Sequence, residues 1–304
     1  MFVLILGGIY LFISKQNESL LDVLLVIKQT IMSKNWWKIL IIISLTPLNW
    51  AFETLKWQFV AKKIEYLSFV NAYKGVLAGL ALGFTTPVTI GDFAGRILMM
   101  KTKKRTEAIG AIILGNGMQL FSSLSYGVIG YWLFIYQFSL PYFHVILASL
   151  VSIFSVSGLY LMQRSLNFEA ILKIIPVNFK QYFDVIKTYS SKELLTTFAI
   201  ASARYFIIVL QFVMAFDAFE IHLDFFILLT GVVLILFAKT LVPMFNFASD
   251  LGVREAASLY YFSFYAVKAS IVTGATMLIW IFNLLLPILF GSIMIWQLKI
   301  KIEK

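Results

Sequence analysis

FVNAYKGVLAGLALGFTTPVTIGDFAGRILMM, residues 69–100, decides the fold. A membrane-spanning helix needs about 20 consecutive, mainly apolar residues. This stretch is too long for one such helix, and TTPVTIGD (85–92) interrupts it with a proline, a glycine and a carboxylate. Proline removes a backbone donor and clashes with the preceding turn, so a helix does not run through such a break unchanged. The reading is a helical hairpin with its breaks at Pro87 and Gly91. Gly75, Gly79 and Gly83 recur at four-residue spacing on the first arm, and Gly91 and Gly95 on the second. Small residues at that spacing let helix backbones approach closely in lipid, so these glycines are read as packing, not as a ligand site. The block 224–267 is broken in the same manner by PMFNFASDLG (243–252), with Pro243 and Gly252 as its breaks.

The composition agrees. Of 304 residues, 61% are hydrophobic and 13% charged, against roughly 45–50% and about 25% in soluble domains. Such an excess of apolar side chains excludes a soluble globular enzyme. No cysteine is present, so disulfides and thiolate chemistry are excluded. His144 and His222 are the only histidines, too few for a histidine metal centre, and no metal or other cofactor is expected. The net charge of +10 suits a nucleic acid or a membrane surface. The basic residues lie between apolar segments, which selects the membrane and leaves no role for nucleic acid.

Apolar blocks occur at 1–14, 36–60, 69–100, 108–136, 141–162, 194–216, 224–267 and 268–296. This predicts an all-α polytopic membrane protein with about six spanning segments and two hairpins. The first block is short for a span, and it lacks the basic flank and cleavage site of a signal peptide. Residues 17–33 and 165–189 read as interfacial. In the latter, Phe179, Tyr182, Phe183 and Ile186 share one helix face opposite Lys180, Gln181, Asp184 and Lys187, and Pro176 separates this face from the preceding turn.

Cytoplasmic loops are enriched in Lys and Arg. With Lys62 and Lys63 inside, Lys101, Lys103, Lys104, Arg105, Arg164, Lys173, Lys180, Lys187, Lys192, Lys299, Lys301 and Lys304 fall inside as well. Only Lys15, Lys28, Lys34 and Lys268 among the loop cations fall outside, where the acidic loop Asp217, Glu220 and Asp224 also lies. The protein is expected in the cytoplasmic (inner) membrane with a cytoplasmic C-terminus.

The 304 residues form a single integral membrane domain in this reading. Residues 36–136 and 193–296 share one plan of helix, broken hairpin and helix. The connecting helix 141–162 and the interfacial segment 165–190 lie between them. A single crossing between two such units inverts the second, and inverted repeats with interrupted helices are a mark of transporters. The two tips would then enter from opposite sides and meet near the midplane.

Ionisable residues inside a membrane are costly, so each of them is a candidate site residue. Arg96 and Arg254 follow the two breaks, each four residues after an aspartate, Asp92 and Asp250. At that spacing the charges share a helix face and can neutralise each other. Alternatively, each guanidinium forks onto a lipid phosphate, helped by helix N-termini at Asp92 and Leu251. Glu53 lies deep in its segment as a candidate partner for Arg96, and Arg204 sits in the middle of 194–212, turned toward the bundle. Glu255 joins this set as a carboxylate beside the second tip. Lys239 is placed to pair with Asp250, while Lys56 reads as a side chain snorkelling to the surface. Asn116, Gln119, Gln211 and Asn283 read as interhelical hydrogen-bonding groups, and His144 as an interfacial ring.

NWWKILIIISLTPLNWAFETLKWQFVAKKI (35–64), TPVTIGDFAGR (86–96) and VPMFNFASDLGVREAA (242–257) resemble the flippase-like transmembrane region of lysylphosphatidylglycerol synthases, over nearly the whole chain. Leu55-Lys56-Trp57 stands where that family often shows L-R-W. Pro87, Gly91 and Asp92 match its P-x-x-x-G-[DE], and Gly252, Val253 and Glu255 its G-[VL]-x-E. The family's glycine-rich stretch after the second proline is replaced here by MFNFASD. The synthases' soluble aminoacyl-transferase domain has no counterpart in these residues. The resemblance therefore implies lipid translocation without the synthase chemistry.

No zincin, nucleophile-elbow, phosphate-loop or EF-hand motif is present, so no catalytic residue is assigned and direct ATP drive is not expected. The leading expectation is a transporter of an anionic or polyprenyl-linked lipid, binding a phosphate-bearing headgroup. A glycosyltransferase or lipid-synthesis protein is the kind of partner it would serve. An intramembrane transferase using Asp92, Glu53 or Glu255 as base ranks second, and a membrane scaffold third.

Overall fold

A computed structural model describes residues 19–86, 90–163, 182, 184–242 and 247–302. Every regular element among them is helical. In chain order the helices are α1 (Leu20–Met32), α2 (Trp36–Ala61), α3 (Phe69–Thr85), α4 (Ile90–Ile97), α5 (Arg105–Phe138) and α6 (Tyr142–Gln163). They continue with α7 (Ser191–Ala218), α8 (Phe225–Leu241), α9 (Phe247–Ser263), α10 (Ala269–Trp280) and α11 (Leu286–Ile302). A π turn over Ile281–Leu285 joins the last two.

Among the described residues, five stretches are long and apolar enough to cross a membrane: Trp36–Ala61, Arg105–Phe138, Tyr142–Tyr160, Ser191–Ala218 and Ala269–Trp296. They coincide with five of the expected spans, and the sixth block, 1–14, lies outside the described residues. Large apolar side chains such as Leu40, Leu133, Ile146, Leu150, Ile153 and Phe206 face outward. In water this surface would be a liability, but in lipid it is the solvated face. The chain is an all-α polytopic membrane protein.

Local chemistry sets the helix ends. Ser19 accepts from the Asp22 amide while the Asp22 carboxylate accepts from the Ser19 amide, a reciprocal capping box that starts α1. Asp224 caps α8 through the Phe226 amide at 2.9 Å. With 13 residues, α1 extends only about 20 Å at 1.5 Å per residue, which is short of a span. Of the second interfacial candidate, the described part contains a 3₁₀ turn, Asp184–Thr188, with Val185 and Ile186 buried. Phe179, Lys180, Gln181 and Phe183, four members of the proposed amphipathic face, lie outside the described residues.

α3 and α4 form the first hairpin. Their contact is backbone against backbone: a Cβ on Gly95 would lie 2.1 Å from the Gly79 nitrogen, and one on Gly91 2.2 Å from the Leu82 carbonyl carbon. At the tip the Gly91 amide donates to Thr86 Oγ1 at 2.8 Å, and the Thr86 hydroxyl donates to the Leu82 carbonyl at 3.0 Å. The expectation that Gly91 and Gly252 break the helices is corrected here. Gly91 lies within α4 and Gly252 within α9, and no described glycine takes a positive φ. Since a helical glycine costs only about 1 kcal/mol, close packing is enough to retain Gly91 in its helix. Pro87 and Pro243 lie outside the described residues. The second helix also resumes earlier than expected, at Phe247, so Asp250 stands in its first turn and Leu251 is no N-terminus.

The helices group into two compact units. One holds the hairpin α3–α4, α2 from Trp50, α5 to Ser125, α6, α7 to Tyr205 and α11 from Ile288. The other holds α8 and α9, α1, α2 to Asn49, α5 from Tyr126, α7 from Phe206, α10 and the π turn. In this second unit a buried amide network crosses three helical segments. Asn283 donates to Gln211 Oε1 at 2.7 Å and accepts from Asn49 at 3.2 Å and Thr46 at 3.3 Å. Gln211 in turn donates to the Ile42 carbonyl at 3.0 Å. Asn283 lies within the π turn, a local widening that recurs at special sites in helices.

Candidate functional site

In the first unit, four charged side chains converge around Glu53. The α2 carboxylate is only 2% exposed and meets three cations. Lys56 Nζ lies 2.7 Å from Oε2, Arg204 Nη1 2.6 Å from Oε2 and Arg96 Nη2 3.0 Å from Oε1. Arg96 also places Nε 2.8 Å from Asp92 Oδ1, one turn earlier on α4. The guanidinium therefore bridges two carboxylates, which its planar fork suits better than an ammonium would. Arg204 stands 5.0 Å from the Trp50 ring and Arg96 5.9 Å from the Trp57 ring, as expected of a weakly hydrated cation on an aromatic face. Asn116 reaches Asp92 at 3.5 Å, and Gln119 accepts from Lys56 at 3.4 Å.

Glu53 does partner Arg96, and Arg204 does turn inward. Lys56 is a correction. Its side chain is 1% exposed and does not snorkel, because the nearby carboxylate and amide oxygen offer it partners that the lipid interface is not needed to supply. The i,i+3 spacing from Glu53 to Lys56 was the signal available for this pair. The cluster carries three cations, Lys56, Arg96 and Arg204, against two carboxylates, Glu53 and Asp92.

The second unit carries its own cluster. Asp250 pairs with Arg254, one turn later on α9, and with Lys239 of α8 at 2.7 Å. Arg254 stands 5.7 Å from the Phe212 ring. The neighbouring Glu255 is held differently: it is buried, and its carboxylate accepts from the Thr276 hydroxyl of α10 at 2.6 Å. No ion pair to Glu255 is formed among the described residues. A deep carboxylate with one hydroxyl donor is far less compensated than Glu53 or Asp250.

Among the described residues, no group of three or more His, Asp or Glu side chains is placed to hold a metal ion. Guanidinium forks form bidentate hydrogen bonds to phosphate as readily as to carboxylate.

No curated protein and no solved structure matches the chain. The family model described as the lysylphosphatidylglycerol synthase TM region matches residues 3–291. That span includes both hairpins and both charge clusters, and the chain belongs to this family of membrane regions.

Proposed function

We propose that the protein is a flippase-like transporter that moves an anionic or polyprenyl-linked lipid across the cytoplasmic membrane, with no catalytic step of its own. The observation that carries this reading is the buried Arg96 guanidinium, held between Asp92 and Glu53 on the second arm of the broken hairpin. Arg96 can exchange Asp92 or Glu53 for a phosphate oxygen of an anionic headgroup. The broken helices and the expected inverted repeat support the same reading. The excess of basic residues in the proposed inner loops supports a cytoplasmic C-terminus.

The test is headgroup movement in proteoliposomes carrying a fluorescent anionic lipid. Wild type should move it, and Arg96→Ala should abolish the movement while leaving the protein folded. Equal movement by both would overturn the proposal and favour a scaffold. A transferase reading has one feature in its favour, the poorly compensated Glu255 carboxylate, which could serve as a base. Formation of a modified radiolabelled lipid by purified protein, lost in Glu255→Gln, would establish it.

A further inference from the structure

Beyond the buried clusters, the first unit holds a cavity of about 700 Å³ where the end of α4, the loop after it and the start of α5 meet. Its walls divide by chemistry. Ile97, Leu98 and Ile109 line one part, and Lys101, Lys103 and Arg105 another. Its volume falls within the roughly 300–1,000 Å³ typical of small-molecule sites.

The loop is held in shape from behind. The Glu65 carboxylate accepts from the Lys101 amide at 3.0 Å and the Thr102 amide at 2.7 Å. Thr102 Oγ1 then accepts from the Lys104 amide at 3.2 Å, and the Lys103 carbonyl from the Arg105 amide at 2.9 Å. All these bonds use backbone donors. The side chains of Lys101, Lys103 and Arg105 are exposed and form no ion pair among the described residues. Lys101, Lys103, Lys104 and Arg105 against Glu65 and Glu107 leave a formal +2. Leu98, 61% exposed, extends the apolar wall outward. A solvated charge run would have no such wall and no carboxylate folding its backbone. A soluble anion would leave that wall unused, whereas an anionic amphiphile uses both halves. Basic pockets between membrane helices are suited to such headgroups.

We infer that this cavity is a binding site for a phosphate-bearing lipid headgroup, with Lys101, Lys103 and Arg105 on the phosphate and Ile97, Leu98 and Ile109 on the glycerol and first acyl carbons. α4 carries Arg96 and, as its last residue, Ile97 of this wall, so the cavity lies one residue along the chain from the buried cluster. In this respect it deepens the transporter reading and rests on it, although binding itself does not require transport.

The experiment is native mass spectrometry of the full chain in mild detergent with equal phosphatidylglycerol and phosphatidylcholine. Wild type should retain one phosphatidylglycerol with at least tenfold preference. Lys101→Ala/Lys103→Ala/Arg105→Ala should lose that preference, while Lys62→Ala/Lys74→Ala, which removes exposed charge elsewhere, should keep it. Equal loss in both variants would show general surface attraction and overturn the site, as would no loss in either. Soluble glycerol phosphate at the same concentration should not displace the lipid; displacement would make a free phosphate ester the ligand and overturn the lipid assignment. If the triple variant does not purify as wild type does, Lys101→Gln/Lys103→Gln takes its place with the same expected direction. Retention without headgroup movement in proteoliposomes would overturn the transporter reading and leave the site standing. Movement without retention would overturn the site alone.

Discussion

Arg204 and Glu53 are separated by 151 residues of chain, yet Nη1 and Oε2 stand 2.6 Å apart. With Lys56 and Arg96 on the same carboxylate, Glu53 ties α2, α4 and α7 together electrostatically.

Removing that anion should be costly. Glu53→Gln takes from Lys56, Arg96 and Arg204 the carboxylate they share, and loss of one partner from a buried ion pair typically costs about 3–5 kcal/mol. A melting midpoint measured in detergent should fall sharply, and Glu53→Gln/Arg204→Met should recover part of the loss. A midpoint at the wild-type value in the single variant would refute this account of the cluster.

Lys56→Met should cost less than Glu53→Gln. It removes one of the three cations on the Glu53 carboxylate while keeping the length of the side chain. Loss of one partner from a buried pair is destabilising, but Glu53 keeps Arg96 and Arg204. The melting midpoint should fall by less than in Glu53→Gln while headgroup movement falls at least tenfold, and the two readouts are taken on the same preparation.

At Gly95 the expected effect is steric. Gly95→Ala places a methyl group 2.1 Å from the Gly79 nitrogen, and backbone cannot step aside as a side chain can. Overpacking of this kind costs about 3 kcal/mol, toward the upper end for such changes. Gly117→Ala serves as control, because a Cβ there meets nothing within 4 Å and should gain up to about 1 kcal/mol from helix propensity. Size-exclusion profiles and melting midpoints of the two variants decide the matter.

The amide network predicts a further asymmetry. Asn283→Ala removes the donor to Gln211 Oε1 and an acceptor used by Asn49 and Thr46, and a buried group left unsatisfied costs about 1–3 kcal/mol. Lys38→Ala, which removes a partly exposed pair with Asp217 at 2.7 Å, should cost under about 1 kcal/mol. Equal melting midpoints for the two variants would contradict the network's importance.

The sidedness read from the loop charges can be tested directly, because the chain has no native cysteine. Lys62→Cys should react with an impermeant maleimide only from the inner face and His222→Cys only from the outer face. Labelling of both from one face would invert or discard the assignment.

The hairpins were legible because proline and polar residues inside a long apolar block leave few other solutions in lipid. Both partners of Arg96 were legible. Asp92 is local at i,i+4, and Glu53 stood out as a carboxylate too deep for the interface. That Arg204 shares Glu53 was not readable, since α7 gives no local sign of which helix it faces. Lys56 was misread because snorkelling is a property of a side chain beside lipid, and only packing shows that Lys56 is not beside lipid. The start of α9 was placed too late because Asp250 and Gly252 look like breakers, whereas an aspartate in a first helical turn is favoured by the helix dipole. The π turn at Asn283 went unread, although Pro287, four residues on, cannot donate to the Asn283 carbonyl.

The glycine contacts of α3 and α4 have a mechanical consequence. Where two helices touch backbone to backbone, no rotamer change can loosen them, and the pair behaves as a single stiff lever. Arg96 therefore has two ways to move: by its own torsions or with the whole hairpin. Gly291 of α11 seats against the Leu77 carbonyl in the same manner, with a virtual Cβ at 2.1 Å, so displacing the lever would displace α11 as well. Compliance in this unit must then come from long side chains such as Arg96, Lys56 and Arg204, not from sliding between the arms that carry them.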